Sequence, residues 1–108
     1  MAVSEADIAF AKELFEGLGT LTTRKMMGGL CLYSDGTIFA LLYSDGTLYI
    51  KAQGAFIDEV KALGCTQWTY QREGKDTPTA MPYWTLPEPC LDDPEQAHAL
   101  ARRALAHL

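Results

Sequence analysis

A two-layer α+β fold, an antiparallel sheet with helices packed on one of its faces, follows from three features of this 108-residue chain. Two stretches near the ends carry apolar residues at helical spacing behind a capping residue. The middle alternates short β-prone runs with Asp-Gly turns. A composition of 48% hydrophobic and 21% charged residues supplies one core, so the whole of residues 1–108 is expected to form a single domain.

The elements follow in order. Over residues 5–18, Ile8, Ala11, Leu14, Phe15 and Leu18 form an apolar stripe, with Ser4 as N-cap and Gly17 and Gly19 ending the helix. An extended stretch over 20–27 is broken at Gly28-Gly29, where a bulge or sharp bend is expected. The chain resumes as a strand at 30–33. The pentapeptide Tyr33-Ser34-Asp35-Gly36-Thr37 then recurs as Tyr43-Ser44-Asp45-Gly46-Thr47. Asp-Gly between β-prone runs favours two-residue hairpin turns, so residues 30–51 predict a three-stranded meander. Phe56, Ile57, Val60 and Leu63 mark a short helix closed by Gly64. Trp68 and Tyr70 alternate with polar residues over 66–72, and 79–86 forms the last strand, with Pro82 confined to an edge or a bulge. Asp93-Pro94-Glu95 starts a final helix whose apolar face holds Ala97, Leu100, Ala101, Ala104 and Leu108. The expected order is α-β-β-β-α-β-β-α.

Two-residue turns at both Asp-Gly pairs would fix the register and sort the meander into two faces. One face would carry Leu30, Leu32, Phe39, Leu41, Tyr43, Leu48, Ile50 and Ala52 beneath the helices. The other would carry Cys31, Tyr33, Ile38, Ala40, Leu42, Tyr49 and Lys51. Tyr33, Ile38, Leu42 and Tyr49 make this second face more apolar than a solvated sheet face requires. Either it is covered by other parts of the chain, or it binds a partner, with Arg24 and Lys25 as rim charges.

Charge and cysteine usage exclude several functions. Nine basic against fourteen acidic residues give a net charge of −5, spread evenly along the chain, which opposes direct nucleic-acid binding and anionic membrane surfaces. Cys31, Cys65 and Cys90 show no zinc or disulfide spacing, so reduced thiols and a cytoplasmic location are expected, with no metal or cofactor. Cys31 is the thiol expected to be most open to oxidation if its face is uncovered. Neither a basic-plus-apolar leader nor a membrane span is expected. No catalytic constellation converges. Cys90 and His98 are the nearest approach to a thiol and base, with no third group to orient them. The charged segment Arg72-Glu73-Gly74-Lys75-Asp76 reads as a solvated loop.

The run Arg24-Lys25-Met26-Met27-Gly28-Gly29-Leu30-Cys31-Leu32-Tyr33, with Lys51-Ala52, Met81-Pro82-Tyr83-Trp84-Thr85-Leu86-Pro87 and Asp93-Pro94-Glu95, resembles the TfoX/Sxy N-terminal domain family over nearly the whole chain. Arg24, Met26, Gly28, Gly29, Leu32 and Tyr33 fit its pattern, as does the Met81 to Tyr83 segment, while Met27 and Cys31 depart from it. The resemblance implies an antiparallel sheet backed by helices, similar to secretion-chaperone-like folds. Full-length members regulate bacterial competence genes together with a cyclic-AMP receptor protein and carry a further C-terminal helical domain. The implied function is therefore a stand-alone regulatory protein-interaction domain whose partner is a transcription factor or RNA polymerase component. The alternative is a homodimeric small-ligand-binding or structural domain.

Overall fold

The computed structural model describes residues 3–26, 28–70, 74 and 77–108. Met27 and all of the charged loop over residues 72–76 except Gly74 lie outside the described residues. The elements run α1 (Glu5–Leu14), β1 (Leu21–Met26), β2 (Gly29–Ser34), β3 (Thr37–Tyr43), β4 (Leu48–Lys51), α2 (Phe56–Ala62), β5 (Gln67–Tyr70), β6 (Thr79–Thr85), α3 (Glu88–Asp92) and α4 (Pro94–Leu105). The strands form one antiparallel sheet in the order β1-β2-β3-β4-β6-β5. The extended stretch before the glycine pair is thus a full strand, and a short helix precedes α4.

Local chemistry explains the helix boundaries. Ser4 Oγ accepts the Asp7 N–H at 3.1 Å at the start of α1, and Asp93 Oδ1 accepts the Glu95 N–H at 3.0 Å ahead of Pro94 in α4. The α1 helix stops at Leu14, earlier than its apolar stripe. Phe15 and Leu18 nevertheless remain buried, because the turn after the helix keeps them over the sheet. Ala11, Leu14, Phe15, Phe56, Val60, Ala97, Leu100 and Ala104 pack on Leu30, Leu32, Phe39, Leu42, Leu48, Ile50 and Trp84, so the helices cover a single face. Arg103 of α4 ties to Glu59 of α2 at 2.6 Å across the surface.

The two identical pentapeptides form different loops. At the first, Asp35 (φ 48°) and Gly36 (φ 84°) make a two-residue turn, with Ser34 opposite Thr37. Asp35 is held there from outside the hairpin, because its N–H donates to the Thr20 carbonyl and its Oδ1 accepts the Thr20 N–H, both at 2.9 Å. At the second, the Tyr43 N–H donates to the Thr47 carbonyl at 2.9 Å and the Gly46 N–H to the Tyr43 carbonyl at 3.0 Å, giving a three-residue connection in which only Gly46 has a positive φ. Asp45 Oδ1 accepts the Thr47 N–H at 2.9 Å, a local bond with no equivalent in the first loop.

A bulge also interrupts the first hairpin. Tyr33 pairs with Ile38 but Leu32 pairs with Ala40, leaving Phe39 as the extra residue. Residues 40–43 therefore sit on the faces opposite to those expected, and the longer second loop restores parity for β4. Pro82 meets the expectation of a bulge rather than an edge. It lies in β6, between β4 and β5, where the β5–β6 register breaks and the Gln67 side-chain amide donates to the Met81 carbonyl at 3.0 Å.

Candidate protein-interaction face

The sheet face away from the helices is built from strand residues alone. Cys31 of β2 and Leu41 of β3 are fully buried, and Trp68 of β5 and Tyr83 of β6 are nearly so, making a closed floor. Around it Tyr33, Ile38, Tyr43, Tyr49 and Met81 are each half-buried, packed against the floor on one side and open on the other. The Trp68 ring lies 5.4 Å from Tyr43, 5.9 Å from Tyr49 and 6.3 Å from Tyr83 between centroids. Tilted and edge-on contacts of this kind contribute about 0.5–1.5 kcal/mol each beyond the area they bury.

Electrostatics keep this floor neutral. Burial pushes the Tyr83 phenol up to about 12, with Cys31 and Tyr33 adding to the shift. Burial likewise raises the Cys31 thiol, which the nearby Arg24 and Lys51 charges pull partly back, and it raises Tyr49 with help from Asp45 and Tyr43. Arg24 pairs with Cys31 in the β1–β2 register and Lys51 with Tyr83 in the β4–β6 register, placing one cation on each side of the aromatic bed. Among the described residues Arg24 and Lys25 have no ion-pair partner.

Of the residues singled out from the sequence, Tyr33, Ile38, Tyr49 and Arg24 come together on this face. Leu42 does not. Because of the Phe39 bulge it points under the helices and is 1% exposed, so it is a core residue and not a contact residue. Lys25 pairs with Leu30, on the helix side of β1, and so leaves the face although it is exposed. Met26 is 39% exposed opposite Gly29 at the end of β1. Met81 and Tyr83, which the resemblance singled out, belong to the face itself, as do Leu41, Tyr43 and Trp68, which the turn-based sorting missed. The alternation around Trp68 gave its parity; only the long-range β4–β6–β5 pairing shows what it covers.

The thiols also differ from expectation. Cys31 is fully buried beneath the aromatic ring of residues and is not the open thiol, whereas Cys65 is half-buried beside Cys90 and the helical core. Native-state alkylation followed by mass spectrometry should modify Cys65 first and Cys31 last. Equal labelling of Cys31 would mean that the floor opens. Cys90 borders a cleft of about 200 Å³ with Leu63, Gln96 and Arg103, while His98 lies against Gly17, its Nε2 buried without a hydrogen-bond partner. No three metal-ligating side chains gather among the described residues, and none of their helices is long and apolar enough to cross a membrane.

Comparison with known proteins places this geometry in a family context. Residues 13–108 match the TfoX N-terminal domain. No curated protein matches the chain.

Proposed function

The chain belongs to the TfoX N-terminal domain family, which is associated with competence regulation, and from that premise we propose that it is a regulatory interaction module that binds a protein partner through its open sheet face. The observation that carries this reading is the ring of half-buried Tyr33, Ile38, Tyr43 and Tyr49 on a neutral, closed floor. Tyrosines of this kind offer large apolar area with a hydroxyl at the edge and little rotamer entropy to lose, the usual make-up of an interface hot spot. Arg24 and Lys51 flank the bed and would orient a partner. A net charge of −5 supports contact with a protein over contact with DNA. The partner class this fits is a transcription factor or an RNA polymerase component.

Affinity purification from the native host, compared with a Tyr33→Ser, Tyr49→Ser variant shown by circular dichroism to remain folded at the assay temperature, tests the reading. Recovery of a transcription factor or polymerase subunit that the variant loses is the expected result. Capture unchanged by the variant, or tight binding of purified protein to DNA at physiological salt, would refute it. Recovery only of further copies of the chain, lost in the variant, would make the face a dimer interface.

A further inference from the structure

The sheet ends on one side at β1, and the outer edge of that strand has no neighbouring strand among the described residues. Which residues face outward follows from the clamp at its start. The Asp35 N–H donates to the Thr20 carbonyl, so Thr20 and Asp35 form a hydrogen-bonded pair, and the register continues from there without a shift. Alternation then turns the N–H and C=O of Thr22, Arg24 and Met26 toward β2, and those of Leu21, Thr23 and Lys25 away from the sheet. A six-residue edge strand without proline or bulge is a template for a further strand unless something guards it. Here the guards are Arg24 and Lys25, both cationic and neither ion-paired among the described residues.

We infer that the outer edge of β1 receives an extended acidic segment of a partner protein as a seventh strand, its carboxylates facing Arg24 and Lys25. The inference rests on the reading of the chain as an interaction module and supplies that module with a recognition chemistry. Charge decides the occupant. A second copy pairing through β1 would collect two Arg24 and two Lys25 side chains in one short ladder with no carboxylate among the paired strand residues, and like charges across a ladder are destabilising. An acidic segment replaces each of those repulsions with an attraction. The overall charge of −5 acts at longer range and is screened beyond about 8 Å at physiological ionic strength. A cleft of about 350 Å³ lined by Thr22, Thr23, Arg24, Tyr33 and Gly36 lies beside the edge and gives one side chain of the added strand a seat next to the Arg24 guanidinium and the Tyr33 ring. Main-chain bonds along an edge with side-chain pockets beside it are the general physics of strand addition.

The test uses the isotope-labelled full chain and two acetylated, amidated peptides, Val-Glu-Glu-Thr-Glu-Glu-Val, whose adjacent glutamates present carboxylates to both faces of the sheet, and its lysine counterpart, at millimolar concentration. The glutamate peptide should bind saturably and protect the Leu21, Thr23 and Lys25 amides from hydrogen exchange, and the lysine peptide should not. Thr23→Pro removes an outward N–H without breaking a bond to β2, so it should abolish protection at Leu21 and Lys25 while leaving the melting temperature nearly unchanged. Arg24→Glu with Lys25→Glu should weaken the glutamate peptide by about tenfold or more and transfer preference to the lysine peptide. Several results would overturn the proposal: no binding, equal binding of both peptides, protection that survives Thr23→Pro, or protection that grows with protein concentration alone. Partner capture that is lost in Tyr33→Ser, Tyr49→Ser but indifferent to Thr23→Pro would reject the edge and keep the face.

Discussion

Phe39→Ala is expected to lower the stability of the domain by about 4 kcal/mol, a large share of the roughly 5–15 kcal/mol that holds a domain of this kind folded. Phe39 is fully buried and is the extra residue of the β2–β3 bulge, which turns it under the helices next to Ala40. Its ring meets Phe15 edge-on at 5.1 Å and 87°, so a strand irregularity and the turn after α1 are fixed to one another by a single aromatic pair. Alanine would remove the transfer energy of the ring and leave a cavity that two rigid backbones close only in part. Urea denaturation of Phe39→Ala, Phe15→Ala and the double variant measures both the loss and the coupling, expected at about 1 kcal/mol. A loss under about 2 kcal/mol for Phe39→Ala would show that the bulge relaxes and that the pair does not anchor α1.

The same bulge marks the limit of what can be read from the residues alone. Helix starts were legible because Ser4 and Asp93 cap within three residues of themselves, and the hairpins because Asp-Gly is a local signal. Side-chain parity along β3 was not. Phe39 flips it once and the three-residue second loop flips it back, so Tyr33, Ile38 and Tyr49 fall on the expected face while Leu41, Leu42, Ala40 and Tyr43 exchange places. No local rule separates two copies of Tyr-Ser-Asp-Gly-Thr. The first is distinguished by the Thr20 clamp fifteen residues earlier in the chain, a contact that exists only once β1 has paired. The aromatic floor was hidden for a related reason. Trp68 and Tyr83 reach Tyr43 and Tyr49 through the β4–β6–β5 order, which sequence alternation does not specify.

Gly29→Ala is expected to cost about 3 kcal/mol, and for a reason unrelated to positive φ. A Cβ on Gly29 would lie 2.4 Å from the Leu42 carbonyl oxygen and 3.2 Å from the Tyr43 Cα, both backbone atoms of the partner strand that no rotamer change can move. The substitution must push the start of β2 away from the end of β3, where Gly29 pairs with Tyr43. Gly28 differs although it is adjacent: at φ 75° its added Cβ would meet only the Tyr43 Cε1 at 3.7 Å, so Gly28→Ala carries conformational strain of about 1 kcal/mol and no clash. Thermal melts of the two variants should therefore rank Gly29→Ala well below Gly28→Ala, and the reverse order would mean that the strand pairing at Tyr43 is looser than its register implies. The comparison bears on function as well. Both glycines lie within the segment matched to the family, yet neither offers a side chain to a partner, so any loss of partner capture in Gly29→Ala should match the unfolded fraction. Tyr33→Ser, Tyr49→Ser, by contrast, should lose capture while still folded, and that difference separates a residue needed to build the face from one that makes contact.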